Sequence, residues 1–166
     1  MALTHQRLTE ALKYNPLTGL FTRDGKVAGS LTKDGYVAIS VDRHRHPAHC
    51  LAWFYMTRDW PVDQIDHRNG VRSDNRWENL REATSIQNLQ NLRAARSDNK
   101  VGLMGVDFHH GAQKWRAQIR VNVKKVHLGY FDTAEEAHRA YMDAKREHHP
   151  FGEIAKLPHW LTPPTL

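Results

Sequence analysis

A single cysteine, Cys50, among 166 residues excludes an intrachain disulfide and a Cys-x-x-Cys zinc knuckle. Any structural zinc would have to rest on histidines. No apolar run approaches the ~18 residues needed to cross a bilayer. The opening residues, Met1 to His5, lack the charged and apolar regions of a signal peptide. The expectation is a protein without a membrane partner that stays in the compartment where it is made. Internal repeats are lacking too. Acid is in short supply: 18 Asp and Glu stand against 24 Lys and Arg, a net charge of +6 that favours a polyanionic partner. Residues 93–125 hold eight Lys or Arg against Asp98 and Asp107, so this stretch alone carries the formal excess. What is present, 40% apolar residues and five Trp, suffices for one compact domain or two small ones.

Thr4 opens a helix over residues 4–13 that shows Leu8, Ala11 and Leu12 on one face and stops at Asn15-Pro16. Short strands follow over 20–22 and 36–41, and the apolar run 48–56 is a buried helix ending before Pro61. Strands over 65–67 and 80–83 flank a polar loop with Asn69-Gly70 and Asp74-Asn75. A helix then opens at Thr84, where Thr84 and Gln87 have capping-box spacing. Periodicity is lost near residues 95–102, read as a linker. Beyond it, 105–108, 114–121 and 125–131 alternate as three antiparallel strands, and Thr133 with Glu136 caps a helix to about residue 147. Residues 156–166 form an irregular tail.

Chemistry concentrates in residues 64–91. Hydrolysis of a phosphodiester needs an activated water, charge neutralisation on phosphoryl oxygens and help for the departing alkoxide. A hard cation such as Mg²⁺ serves the last two. Asp66 offers it a carboxylate oxygen. His67, whose imidazole titrates near neutrality, can take the water's proton. Alternation along a strand turns the two side chains to opposite sides, so the pair works only at a strand end facing the substrate. Asn88 and Asn91 share a helix face, and either amide carbonyl can complete a metal site; the same pair also suits a solvated face. Asn79, between loop and second strand, is placed to bond loop backbone as a brace. Arg68, Arg72, Arg76 and Arg93 can grip phosphates or simply be solvated. His44, His46 and His49, or His138, His148 and His149, fit no standard zinc spacing and are read as surface or partly packed residues.

Asp66-His67, the stretch from Asp74 to Leu80, and Thr84 to Asn91 resemble the HNH endonuclease family with the ββα-metal fold, in the branch typical of phage homing endonucleases. Tyr14 to Phe21, Gly35 to Ile39 and Ala48 to Trp53 resemble the segments preceding the motif in that branch. The resemblance spans about residues 1–92. It implies His67 as general base, Asp66 and Asn88 as metal ligands, Asn79 as the loop asparagine and Asn91 as the rival ligand. Cys50 stands where this branch usually carries arginine.

In the basic stretch, alternation puts Lys114, Arg116, Gln118 and Arg120 on one strand face and Trp115, Ala117 and Ile119 on the other, with Lys124 and Lys125 beside the next turn. Such a ribbon can enter a major groove, or it can be a solvated face over a small core. Gly105-Val106, Lys114 to Ile119, Val126 to Thr133 and Glu135 to Tyr141 resemble the AP2 DNA-binding domain, a three-stranded sheet packed on one helix. That resemblance implies DNA contacts at Trp115, Arg116, Arg120 and Lys125; for Trp115, alternation points to the core and the family's usage to contact. Asn122-Val123 departs from the family's Gly-containing turn, and since Val resists positive φ another turn type is expected.

The combined expectation is an α+β chain. An HNH module (residues 1–94, catalytic motif 64–92), a linker (95–102), an AP2-like domain (103–155) and the tail follow one another. Its activity would be divalent-metal-dependent cleavage of double-stranded DNA, with Mg²⁺ or a substitute such as Mn²⁺. A monomer or weak homodimer carrying one motif per chain would nick, in the host cell cytoplasm if phage-encoded. The competing expectation is a non-catalytic AP2-type DNA-binding regulator on an inactive HNH scaffold; a third, an RNA-directed protein, would prefer single strands.

Overall fold

Thr4 accepts a hydrogen bond from the Arg7 N–H and so caps α1 (His5–Ala11), the first element of a computed structural model that describes residues 2–95 and 98–153. The helix stops short of its expected end, because Lys13 already pairs in a strand. Along the chain follow β1 (Lys13–Asn15), β2 (Leu20–Arg23), β3 (Lys26–Val27), β4 (Ser30–Leu31), β5 (Val37–Val41), β6 (His44–Pro47) and α2 (Ala48–Thr57). Next are β7 (Gln64–His67), a 3-10 turn (Trp77–Asn79), β8 (Leu80–Ala83) and α3 (Ser85–Gln90). The chain continues through β9 (Val106–His109), β10 (Lys114–Val121), β11 (Lys124–Phe131) and α4 (Ala134–His148). This is a mixed helix and strand composition with small antiparallel sheets. Among the described residues no helix is long and apolar enough to cross a membrane.

The chain divides into two compact units, Met1–Ser85 and Ile86–Leu166. In the first, β1-β2-β3, β4-β5-β6 and the pair β7-β8 surround one apolar cluster. Leu8 and Leu12 around α1, Phe21 from β2, Ile39 and Val41 from β5, Leu51 and Phe54 from α2, and Ile65 and Leu80 from the β7-β8 pair all enter it. Burying side chains of this size contributes ~1.5–3 kcal/mol each, which makes α2 and β5 the frame on which the polar β7-β8 loop is hung. Arg58, left-handed at φ 68°, ends α2 by donating its N–H to the Phe54 carbonyl.

In the second unit β10 is central, with β11 and β9 on either side and α4 packed on the sheet. Ala117 and Ile119 are buried, as alternation requires, and Ala117 meets Val106 and Ala137 in one cluster. Thr133 and Glu136 form the reciprocal capping box at the start of α4. At the β10-β11 tip the positive φ falls on Asn122, at 55°, and not on Val123. Gly129, at φ 138°, lies at a bulge where the register slips between Ala117 and Gln118.

Three differences from the sequence reading concern the middle of the chain. The division falls at the start of α3 instead of in the expected linker. α3 also ends at Gln90, so Asn91 occupies the following turn instead of sharing the helix face with Asn88. Both follow from packing inside the second unit: the buried Asn91 accepts the Glu153 N–H through Oδ1, and Gly152 lies close against the Gln90 carbonyl. Thirdly, the stretch read as a linker is anchored where it is described, since Ala95 packs on Met104 and Met142, and Asn99 bonds Val101, Gly102 and Leu103. The expected tail, 156–166, lies outside the described residues, as do linker positions 96–97 and positions 154–155 of the expected AP2-like domain.

Candidate active site

β7 ends at His67, and its alternation separates the two reactive side chains. Asp66 stands opposite Arg81 in the β7-β8 register, and Arg81 donates to its Oδ2 from Nε at 2.9 Å, with Nη2 at 2.8 Å. Asp66 is buried, at 6% exposure, and Arg81 is partly buried. The carboxylate is therefore charge-neutralised before any ligand arrives. Sequence reading missed Arg81; the signal was its cross-strand position, legible once β7 and β8 are paired. His67, 5% exposed, meets Asn75 instead: the distance from Nε2 to the Asn75 Oδ1 is 3.2 Å. Its ring also lies 5.1 Å from that of His49 and 6.0 Å from that of Tyr36.

Burial pulls the His67 imidazole below its ordinary value, partly opposed by the Asn75 hydrogen bond and the Asp66 and Asp74 carboxylates. The group is thus neutral at physiological pH, the state that can accept a proton. Burial, with His67 beside it, lowers His49 further, to about 4, and the His49 Nδ1 is buried without a hydrogen-bond partner among the described residues. Burial raises the Cys50 thiol to about 11, which keeps it unreactive.

The loop between β7 and β8 is held almost wholly by its own polar groups. Asn79, 5% exposed, accepts the Asn69 N–H through Oδ1 at 2.9 Å and donates from Nδ2 to the Asp74 carbonyl at 2.7 Å, while its backbone carbonyl accepts the Arg68 N–H. One side chain thereby ties both ends of the loop. Asp74 accepts from Arg76 Nε and Nη2 and from Asn69 Nδ2, and this donor set, led by Arg76, holds its carboxyl at about 2. The N-terminal hairpin seals the loop from outside. Tyr14 donates its hydroxyl to the Asn75 carbonyl at 2.6 Å, and Trp77 donates its N–H to the Pro16 carbonyl. Gly19, at φ 74°, leaves so little room that a Cβ there would stand 2.4 Å from the Arg76 nitrogen.

The arginines expected to grip phosphate divide by these contacts. Arg76 is committed to Asp74 and Glu78. Arg72 donates to the Asp34 carbonyl and lies over the Tyr36 ring, Arg68 reaches the Glu78 carbonyl at 3.5 Å, and Arg93 is exposed. Asn88 lies in α3 and Asn91 beyond it, both within the second unit. The histidine groups are dispersed into separate contacts: His46 stacks on Trp60, His138 bonds the Met104 carbonyl and His149 the Arg120 carbonyl.

On the β9-β10-β11 sheet the expected cationic face is only partly cationic. Neighbouring strands add Asp107 and aromatic rings to it, which the β10 sequence by itself does not reveal. Asp107, opposite Arg116, pairs with it at 2.5 Å and accepts from the Gln118 amide at 2.9 Å. Tyr130 lies opposite Arg116 on the other side and packs on His109 and His127. Lys114 pairs with Asp132, whereas Arg120, Lys124 and Lys125 are exposed near the hairpin tip. Trp115 packs on Phe108 and the core cluster, on the side alternation indicates.

The described residues bring no three His, Cys, Asp or Glu side chains together. The oxygen donors that are present, carboxylate and amide, are of the kind that hold a hard divalent cation. No curated protein and no solved structure matches the chain. A family model described as HNH endonuclease matches residues 46–90, which take in α2, β7, the braced loop, β8 and α3, so this segment is similar to an endonuclease domain.

Proposed function

We propose that the chain is a divalent-metal-dependent endonuclease that hydrolyses phosphodiester bonds of double-stranded DNA, of the homing-endonuclease type, and nicks as a monomer. The observation that carries this reading is a neutral, buried His67, oriented by Asn75 at the end of β7 beside the Asp66 carboxylate, within the segment matched to HNH endonucleases. His67 accepts the proton of the attacking water. Asp66 and Asn88 hold the cation, with Asn91 the less suited ligand because its Oδ1 already accepts the Glu153 N–H. Bound Mg²⁺ would supply charge neutralisation on the phosphoryl group and the leaving oxygen. Arg81 holds the Asp66 carboxylate in place, and Asn79 holds the loop. Arg68, Arg72 and Arg93 contact phosphate.

The second unit holds the duplex in the manner of an AP2 domain, with Arg120, Lys124 and Lys125 neutralising phosphates and Arg116 and Gln118 presented together by Asp107. Incubating the protein with supercoiled plasmid in Mg²⁺, in EDTA, and as the His67→Ala variant tests the reading. Nicked circles should form only for the wild type with metal. A protein that shifts plasmid in a gel yet leaves it supercoiled under every divalent ion is a DNA-binding regulator and not a nuclease.

A further inference from the structure

The loop contains two buried asparagines, and only Asn79 has the bracing role that its position in the chain suggests. Asn75 is 2% exposed, and each of its polar groups has a defined direction. Its backbone carbonyl accepts the Tyr14 hydroxyl at 2.6 Å, and its amide nitrogen donates to the Ser73 carbonyl at 3.2 Å. The amide nitrogen is therefore turned away from the imidazole, and Oδ1, which can only accept, faces His67 Nε2 at 3.2 Å. Backbone contact makes this arrangement rigid, because Gly19 packs directly on the carbonyl carbon of Asn75 and the nitrogen of Arg76, at 2.5 and 2.4 Å from where a Cβ would lie.

An acceptor at Nε2 requires the proton to sit there, which leaves the lone pair on Nδ1. We infer that Asn75 is a positioning residue that sets the tautomer of His67, placing the proton on Nε2, with Tyr14 and Gly19 holding Asn75 in register. The inference rests on the reading of His67 as the base, but the tautomer itself can be observed without any cleavage.

Two-bond ¹H–¹⁵N correlation spectra of the full-length protein, with the His67 signals assigned by their loss in His67→Ala, report which nitrogen is protonated. The wild type should show Nε2–H. Asn75→Ala should shift population to Nδ1–H and lower kcat for Mg²⁺-dependent nicking by about 10- to 100-fold with KM nearly unchanged, the range usual for residues that orient a reacting group. Asn75→Asp, which keeps the acceptor, should return the Nε2–H tautomer and recover part of kcat. A wild-type spectrum with Nδ1–H overturns the inference whether or not the variants fold. So does a folded Asn75→Ala that keeps both Nε2–H and full kcat. Undiminished nicking by His67→Ala would remove the base role instead, while leaving the tautomer assignment to the spectra.

Discussion

The polar loop of the first unit and the polar sheet face of the second use similar residues to opposite ends. In the loop, Asn69, Asp74, Asn75 and Asn79 direct their hydrogen bonds to one another, to Arg76, to His67 and to backbone, and the pivotal asparagines are buried. On the sheet, Asp107, Arg116 and Gln118 also bond one another, but they stand partly open to solvent, and Lys124 and Lys125 reach out from the hairpin tip. A group that must move a proton tolerates little positional error, and closed networks supply that. Groups that grip a flexible polyanion benefit from reach, and an exposed lysine supplies that at little structural cost.

On this contrast, changes in the loop should alter rate and changes on the sheet should alter affinity. The largest effect is expected for His67→Ala, with nicking slower by about 10²- to 10⁴-fold and duplex affinity in gel shifts unchanged. A rate loss of that size for Lys125→Ala would break the comparison. Next come two glycines. Gly19→Ala drives a Cβ into backbone at a left-handed φ and should cost about 2–4 kcal/mol, seen as faster hydrogen exchange confined to residues 1–85. Gly105→Ala, whose Cβ would meet the Tyr141 ring, should loosen only the second unit.

The two units should also answer pH in different windows, the first in acid and the second in alkali. Asp74, held at about 2 by Arg76, contributes stability that is present above its ordinary 3.8 and lost as pH falls through 2, so acid loosens the loop. Lys145, 1% exposed on α4, has its amine lowered by burial from 10.5 to about 8. The unfolded chain keeps that proton between those values while the folded chain releases it, so the second unit gains stability as pH rises from 8 towards 10.5. Lys145→Met should abolish the rise and stabilise the unit at pH 7 by about 1–3 kcal/mol, measured by urea unfolding. The smallest effect is expected for Lys124→Ala with Lys125→Ala, which should flatten the slope of log affinity against log salt by about 0.9 per lost phosphate contact and leave kcat alone.

Local signals carried much of the fold. Thr133 and Glu136 marked the start of α4, alternation from Lys114 to Val121 named the buried face of β10, and the apolar run at Ala48 located α2. The candidate site was legible in the sequence only as a pair of adjacent residues, Asp66-His67. It was not legible where a partner is chosen by register or tertiary approach. Arg81 acquires meaning only opposite Asp66, and Asp107 only across from Arg116. Among Asn69, Asn75 and Asn79, spacing cannot tell which faces the imidazole, because that depends on a hairpin some sixty residues upstream, from which Tyr14 reaches Asn75. Asn91 was placed on the helix because helical spacing continued, whereas the contact with Glu153 ends it.

The close approach of Gly19 to the loop bears on the order in which the first unit is assembled during synthesis. Tyr14 and Gly19 leave the ribosome well before Asn75, and their contact spans most of the first unit, a long chain closure of the kind that forms late in folding. The hairpin is therefore a finished mould waiting for a later piece of chain. Until residues 64–83 emerge and seat against it, Asn75 has no surface to hold it beside His67, so the loop is completed only when the last strand of the first unit is in place.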